Sequence, residues 1–276
     1  SKKKFSEISG YIMGIGGLGA LAATQPFYLL TLIVEWKKSY FFTSFIILFL
    51  VIGILYLIFY EKDKKSYYKS RLNLSSYYQV ISSKNFLYML PMSFFGYASF
   101  AFLLTLWGAQ YLETIQKMNS ADISIILMLM ALCWTLGSFL YGLLVKKINK
   151  KKSIVIMSAL ILVFLLLILL LFHNLSFFVI SFLFGLLGFV GAFTLVVIAQ
   201  YRSLFSSNII GKVLTTANFF NFLGVFFVQW STGAIIYFSK TKLLISDNKI
   251  FAIAFLAVIF YLFFSIYFYF KINDKL

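Results

Sequence analysis

The sequence predicts an all-α integral membrane protein with eight transmembrane helices. Eight apolar runs of bilayer-spanning length fill nearly the whole chain. Of its 276 residues 62% are hydrophobic and only 12% charged, and the mean hydropathy is +0.96. A soluble domain carries about a quarter charged residues, so too few polar side chains remain here to cover a water-facing surface. Three-quarters of the basic residues, finally, fall in every second gap between the runs.

A helix crossing the hydrocarbon core needs about 20 mostly apolar residues. The runs that meet this are 9–33, 39–60, 86–112, 121–145, 153–172, 176–201, 209–238 and 249–271. Barrel strands are about 10 residues long and alternate strictly; these runs are longer and apolar on every side. The first is rich in small residues (Gly10, Gly14, Gly17, Gly19, Ala20, Ala23), a spacing that lets helix backbones approach closely in lipid. Pro26 then weakens its hydrogen-bond ladder. The longest polar interval, 61–85, is basic and tyrosine-rich and suits contact with anionic headgroups. It separates two spans from six. Three domains are therefore expected: 1–60, the last two helices of a preceding bundle; 61–85, a cytoplasmic linker; and 86–276, a complete six-helix bundle. Glycines 185, 188 and 191 thin the span 176–201, for packing or for bending.

With the first gap placed in the cytoplasm, odd-numbered gaps hold 18 of the 24 Lys and Arg residues. This bias fits the positive-inside rule and the parity of eight spans, with both ends of the chain cytoplasmic. The net charge of +16 is thus a membrane signature and not a nucleic-acid one. Lys2 to Lys4 followed by Ala20, Leu21 and Ala22 invite comparison with a signal peptide. Glu7 and five glycines interrupt the would-be apolar core, however, and the run continues to Val34, so a span is the better assignment.

Chemistry-bearing residues are few. Cys133 is the only cysteine, which leaves no intrachain disulfide and no cysteine metal cluster. His173 is the only histidine, and all eight acids lie in gaps or at span edges. Membrane metalloproteases and acyltransferases need clusters of His, Asp or Glu, so an enzyme is not expected, nor any cofactor or metal. Ionisable groups at membrane depth are the usual proton or ion relays, and no such group is visible in the span interiors.

Three stretches resemble the major facilitator superfamily of secondary transporters. GALAATQP at 19–26, followed by EWKK at 35–38, looks like the family's fifth helix and the turn into its sixth. GSFLYGLLVKKINKKK at 137–152 resembles the cytoplasmic loop motif of the family's C-terminal half. LWGAQYL at 106–112 is similar to the outer end of its seventh helix. The resemblance covers essentially the whole chain, as helices five to twelve of a twelve-helix protein, and implies that four helices precede it. In the loop motif (Gly142, Lys146, Lys147, Asn149, Lys150, Lys151) Lys146 replaces the family's acid and Asn149 its second glycine. A charge-paired latch is therefore not expected there, and the loop is assigned to topological anchoring.

Uncharged polar and aromatic residues are left as site candidates. Ser93, Tyr97, Phe100, Leu104, Trp107 and Tyr111 recur at steps of three and four and so share one helix face. The resemblance implies that this helix lines a central cavity, with Tyr97 the foremost solute contact; packing is the competing role. Asn218, Asn221 and Gln229 lie roughly on one face, and an amide in hydrocarbon needs a partner, so these and Gln25 are expected to bond other helices or face water. Gly17, Gly19 and Pro26, with Gly185, Gly188 and Gly191, are assigned to packing or hinging. The resemblance implies alternating-access transport of a small solute, with a coupling ion or proton as further partner, in a bacterial plasma (inner) membrane. The alternative is a non-transporting membrane scaffold.

Overall fold

The computed structural model describes residues 16–61, 74–147, 150–206 and 208–272. Gly10, Gly14, residues 62–73 of the linker and Asn149 lie outside the described residues, as do the side chains of Lys146 and Lys147. Helices account for all the regular structure, and no strand occurs among the described residues.

The first span is broken, and not merely weakened. Helix α1 (Gly16–Ala22) and helix α2 (Gln25–Val34) meet at 43°. Pro26 sits in the first turn of α2, where its missing N–H has no partner to lose. At the break the Leu21 carbonyl accepts from both the Thr24 N–H (3.2 Å) and the Thr24 hydroxyl (2.7 Å). Helix α3 (Trp36–Glu61) packs chiefly on α2 and keeps its apolar side chains exposed to the surroundings. A short helix α4 (Leu74–Ile81) leads into α5 (Lys84–Ala101), whose start is capped by Ser83 accepting from the Phe86 N–H.

Helix α5 continues through a π-helical turn, Phe102–Trp107, into α6 (Gly108–Thr114), and the three make one span. The remaining spans are α7 (Ser120–Lys147), α8 (Lys151–Leu171), the pair α9 (Phe177–Gly191) and α10 (Thr194–Leu204), α11 (Ile210–Thr241) and α12 (Asp247–Tyr269). Among the described residues seven helices are long and apolar enough to cross a membrane, or eight when the bent α1–α2 pair counts as one span. They coincide with the eight runs read from the sequence, the first of them from Gly16 onward.

Helix α7 packs along α9, and α5 along α11 and α12; α2 leans on α7. Small residues bring these backbones together. A Cβ at Gly188 would collide with the Met130 carbonyl of α7, and one at Gly224 with the Phe94 carbonyl of α5. Gly137 meets the Phe189 carbonyl in the same way. In lipid, where no hydrophobic effect drives helices together, such close approach supplies the packing energy.

Cross-loop contacts support the alternation of the gaps. The Lys152 ammonium donates to the carbonyls of Phe270 (2.8 Å) and Ile272 (2.7 Å), which places the 146–152 turn beside the end of α12. The Lys212 ammonium lies 5.8 Å from the Tyr77 ring centroid, which joins the start of α11 to the linker helix α4. At the opposite end Gln116 donates to the Phe172 carbonyl (3.0 Å) and accepts from the Leu175 N–H (2.8 Å). Odd gaps thus meet odd gaps, and even gaps meet even gaps. Tight turns close the less basic side: Glu35, Lys117, Asn174 and Leu244 each take a positive φ at the junction of two helices.

Candidate functional site

Between α5, α10 and α11 lies a cleft of about 380 Å³, lined by Met92, Ser93, Thr194, Val197, Ile198, Tyr201, Leu214, Thr215, Ala217, Asn218 and Asn221. It occupies the half of the bundle nearest the Lys152 and Lys212 ends, since α5 and α11 begin there and α10 finishes there. Pockets of about 300–1,000 Å³ with a few placed polar groups are typical of small-molecule sites.

Its polar wall is built in two ways. Ser93 and Tyr201 are buried, and their hydroxyls bond each other at 2.9 Å across the α5–α10 contact. Just behind, buried Gln200 accepts from the Tyr269 hydroxyl of α12. These bonds tie α10 to its neighbours on both sides. On α11 the carboxamides of Asn218 and Asn221 face the cleft with no hydrogen-bond partner among the described residues. Of the two roles expected for these amides, bonding another helix or facing water, no bond to another helix is made by Asn218 or Asn221 among the described residues. Such a bond is made by Gln229, which donates to the Thr105 hydroxyl (2.5 Å), and by Gln25, which accepts from Ser124 across the α2–α7 contact.

The predicted aromatic face divides. Ser93 lines the cleft, and half-buried Tyr97 stands one turn beyond, its ring 6.0 Å from that of Phe100. Phe100 is only 1% exposed, stacked on Trp134 and pressed against Gly191. It is a packing residue in this conformation and not a wall of the cleft. Trp107 lies against Gly233, and Tyr111 is buried in the α8–α12 core, donating to the Leu169 carbonyl (2.7 Å). The regular spacing puts all six residues on one face only if the helix is uniform. The π turn inserts extra backbone between Ala101 and Gly108 and rotates everything after it. The indole N–H groups of Trp107 and Trp134 are buried without an acceptor among the described residues.

Of the glycines, Gly17 abuts the Thr135 side chain, a Cβ added at Gly185 would stand 3.4 Å from the Cys133 sulfur, an ordinary contact, and Gly188 and Gly191 are packed as above. Gly19 and Gly142 have open space around them, so neither holds a packing contact. In the basic loop Lys150 is exposed, while Lys152, beyond the residues singled out by the motif, caps α12. That loop therefore does more than anchor.

Three polar cleft residues, Thr194, Tyr201 and Thr215, and the buried Gln200 are not apparent from the sequence. Gln200 and Tyr201 fall at the very edge of the apolar run 176–201, beside Arg202, where polar residues pass for headgroup contacts. The rule applied to Asn218, that an amide in hydrocarbon needs a partner, finds Gln200 as well.

The family model described as Major Facilitator Superfamily matches residues 1–229. The chain belongs to this superfamily. No curated protein matches it. The match spans the α1–α2 break, the basic loop and the cleft, and it makes the protein an integral membrane transporter.

Proposed function

We propose that this superfamily member moves a small solute by alternating access, and that the cleft between α5, α10 and α11 is part of the solute's route. The observation that carries this is the pair of unpartnered carboxamides, Asn218 and Asn221, facing a half-enclosed space beside the Ser93–Tyr201 bond. An amide at membrane depth that bonds no helix is stable only where water or solute reaches it. Tyr97 extends the route toward the opposite side. In this scheme α1–α3 belong to a preceding bundle, the linker 61–85 joins it to α5–α12, and the helices correspond to the fifth through twelfth of a twelve-helix transporter. The basic loops face the cytoplasm of a bacterium, and both ends of this chain lie on that side.

The acids among the described spans sit at helix ends: Glu35 follows α2, Glu61 ends α3, Glu113 closes α6, Asp122 opens α7 and Asp247 opens α12. A coupling ion or proton, where one is used, is then handled outside the cleft lining. The test is cysteine accessibility. With Cys133 replaced by serine, a cysteine at Asn221 should react with a membrane-impermeant thiol reagent from the basic face of membrane vesicles. An Asn221 cysteine unreactive from both faces would sink the route. Tyr97→Ala should lower solute uptake by the full-length protein at unchanged membrane abundance; parallel loss of abundance would assign Tyr97 to packing.

A further inference from the structure

The chemistry of the cleft wall narrows the class of solute. No Lys, Arg, Asp, Glu or His lines it among the described residues. Its polar groups are four hydroxyls and two carboxamides, and their protons can be followed one by one. Thr215 donates its proton to the Gly211 carbonyl (2.9 Å), and Thr194 points its proton at the Gly191 carbonyl (3.4 Å). Ser93 and Tyr201 share one proton between their oxygens, leaving one free hydroxyl proton for the pair. The threonine oxygens therefore meet the cleft as acceptors. Asn218 and Asn221 offer both carbonyl oxygens and N–H groups, and neither is engaged among the described residues.

A wall of this kind matches a solute whose own groups both donate and accept, which hydroxyl groups do. It does not match a formal charge. A charged solute meets no counter-charge on this wall, and a charge that gives up water without one pays a large desolvation penalty. Nearby cations offer little relief. Lys212 is occupied over the Tyr77 ring, and Arg202, adjacent to Tyr201, is not among the lining residues. The apolar part of the wall (Met92, Val197, Leu214) suits the C–H faces that a hydroxylated carbon skeleton presents.

We infer that the cleft selects an uncharged, hydroxyl-rich small solute, recognised by Asn218 and Asn221 with the threonine oxygens as further acceptors. The inference rests on the cleft being the transport route. Its experiment uses the full-length protein in proteoliposomes and three labelled solutes of similar skeleton: glucose, gluconate and glucosamine. Glucose should be taken up at least ten-fold faster than either charged relative. Asn221→Asp, which keeps the shape and adds a carboxylate, should move the preference at least ten-fold toward glucosamine. Uptake of gluconate or glucosamine equal to glucose, or an unchanged preference in the Asn221→Asp variant, overturns the inference. So does uptake of none of the three. These failures leave the route standing when the Asn221 cysteine remains reactive; an unreactive cysteine overturns the route itself.

Discussion

Gly188→Ala is the sharpest perturbation this fold offers. A Cβ built on Gly188 would lie 2.9 Å from the carbonyl carbon of Met130 and 3.2 Å from its Cα, and closer still to the carbonyl oxygen. Ordinary carbon contacts begin near 3.4 Å, and both partners here are backbone in the interior of helices α7 and α9. No side chain can swing aside, so the two helices must part along their whole contact. Overpacking a tight site costs about 1–3 kcal/mol, and a backbone obstacle puts this case toward the upper end. For a protein of this size, each kcal/mol moves the melting temperature by roughly 2–4 °C. Thermal unfolding of the detergent-purified protein, followed by fluorescence-detected size exclusion, should therefore show a drop of roughly 4–10 °C. Gly142→Ala is the matched control. Gly142 lies inside α7 with open space around it, so the same methyl should be harmless or stabilise by about 0.5–1 kcal/mol. Gly188→Ala melting at or above the wild type would refute the idea that α7 and α9 are held by backbone approach.

Lys152→Met removes two charge-assisted bonds to the end of α12 and should lower the melting temperature by a few degrees, since such bonds contribute about 1.5–3 kcal/mol each when buried and less at this exposed end. Lys150→Met, at an exposed position without that cap, should change little, as the same melting assay will show. Tyr111→Phe strands the Leu169 carbonyl and one Gln116 N–H in the core; a loss of about 1–3 kcal/mol in stability with unchanged uptake per folded molecule is expected. Accessibility labelling of cysteines placed at Lys150 and in the 61–85 linker should find both on one side of the membrane, whereas labelling from opposite sides would contradict the alternation of the gaps.

The spans were legible because crossing lipid is a demand on composition. Any helix of sufficient length and apolarity qualifies, so the eight runs were found without knowing what each one touches. Which residue faces which neighbour is a harder matter. The periodic row from Ser93 to Tyr111 assumed one uninterrupted helix, and nothing in FLLTLW announces a π turn to a reader of spacing alone. Gly108 carries the trace of it, for a Cβ there would strike the carbonyl of Leu103 five residues back. A glycine in an apolar span looks the same in sequence whether it fits against another helix, as Gly224 does, or against its own. The amides divided for a similar reason. Gln229 reaches Thr105, but Asn218 and Asn221 have shorter side chains and lie across open space, a distinction that spacing does not encode.

These interruptions also limit how the cleft can change shape. Helix α9 is fixed on α7 by Gly188 and Gly137, and α11 is fixed on α5 at Gly224. Helix α10 is tied at its far end by Tyr201 to Ser93 and by Gln200 to Tyr269. A rigid element held at both ends bends where its ladder is already open. In this bundle those places are Ala192–Phe193, just past Gly191, and the turn at Phe102–Trp107. Both lie farther from the basic loops than the cleft does, so movement there would widen or narrow the cleft without breaking the glycine contacts that hold the helices together.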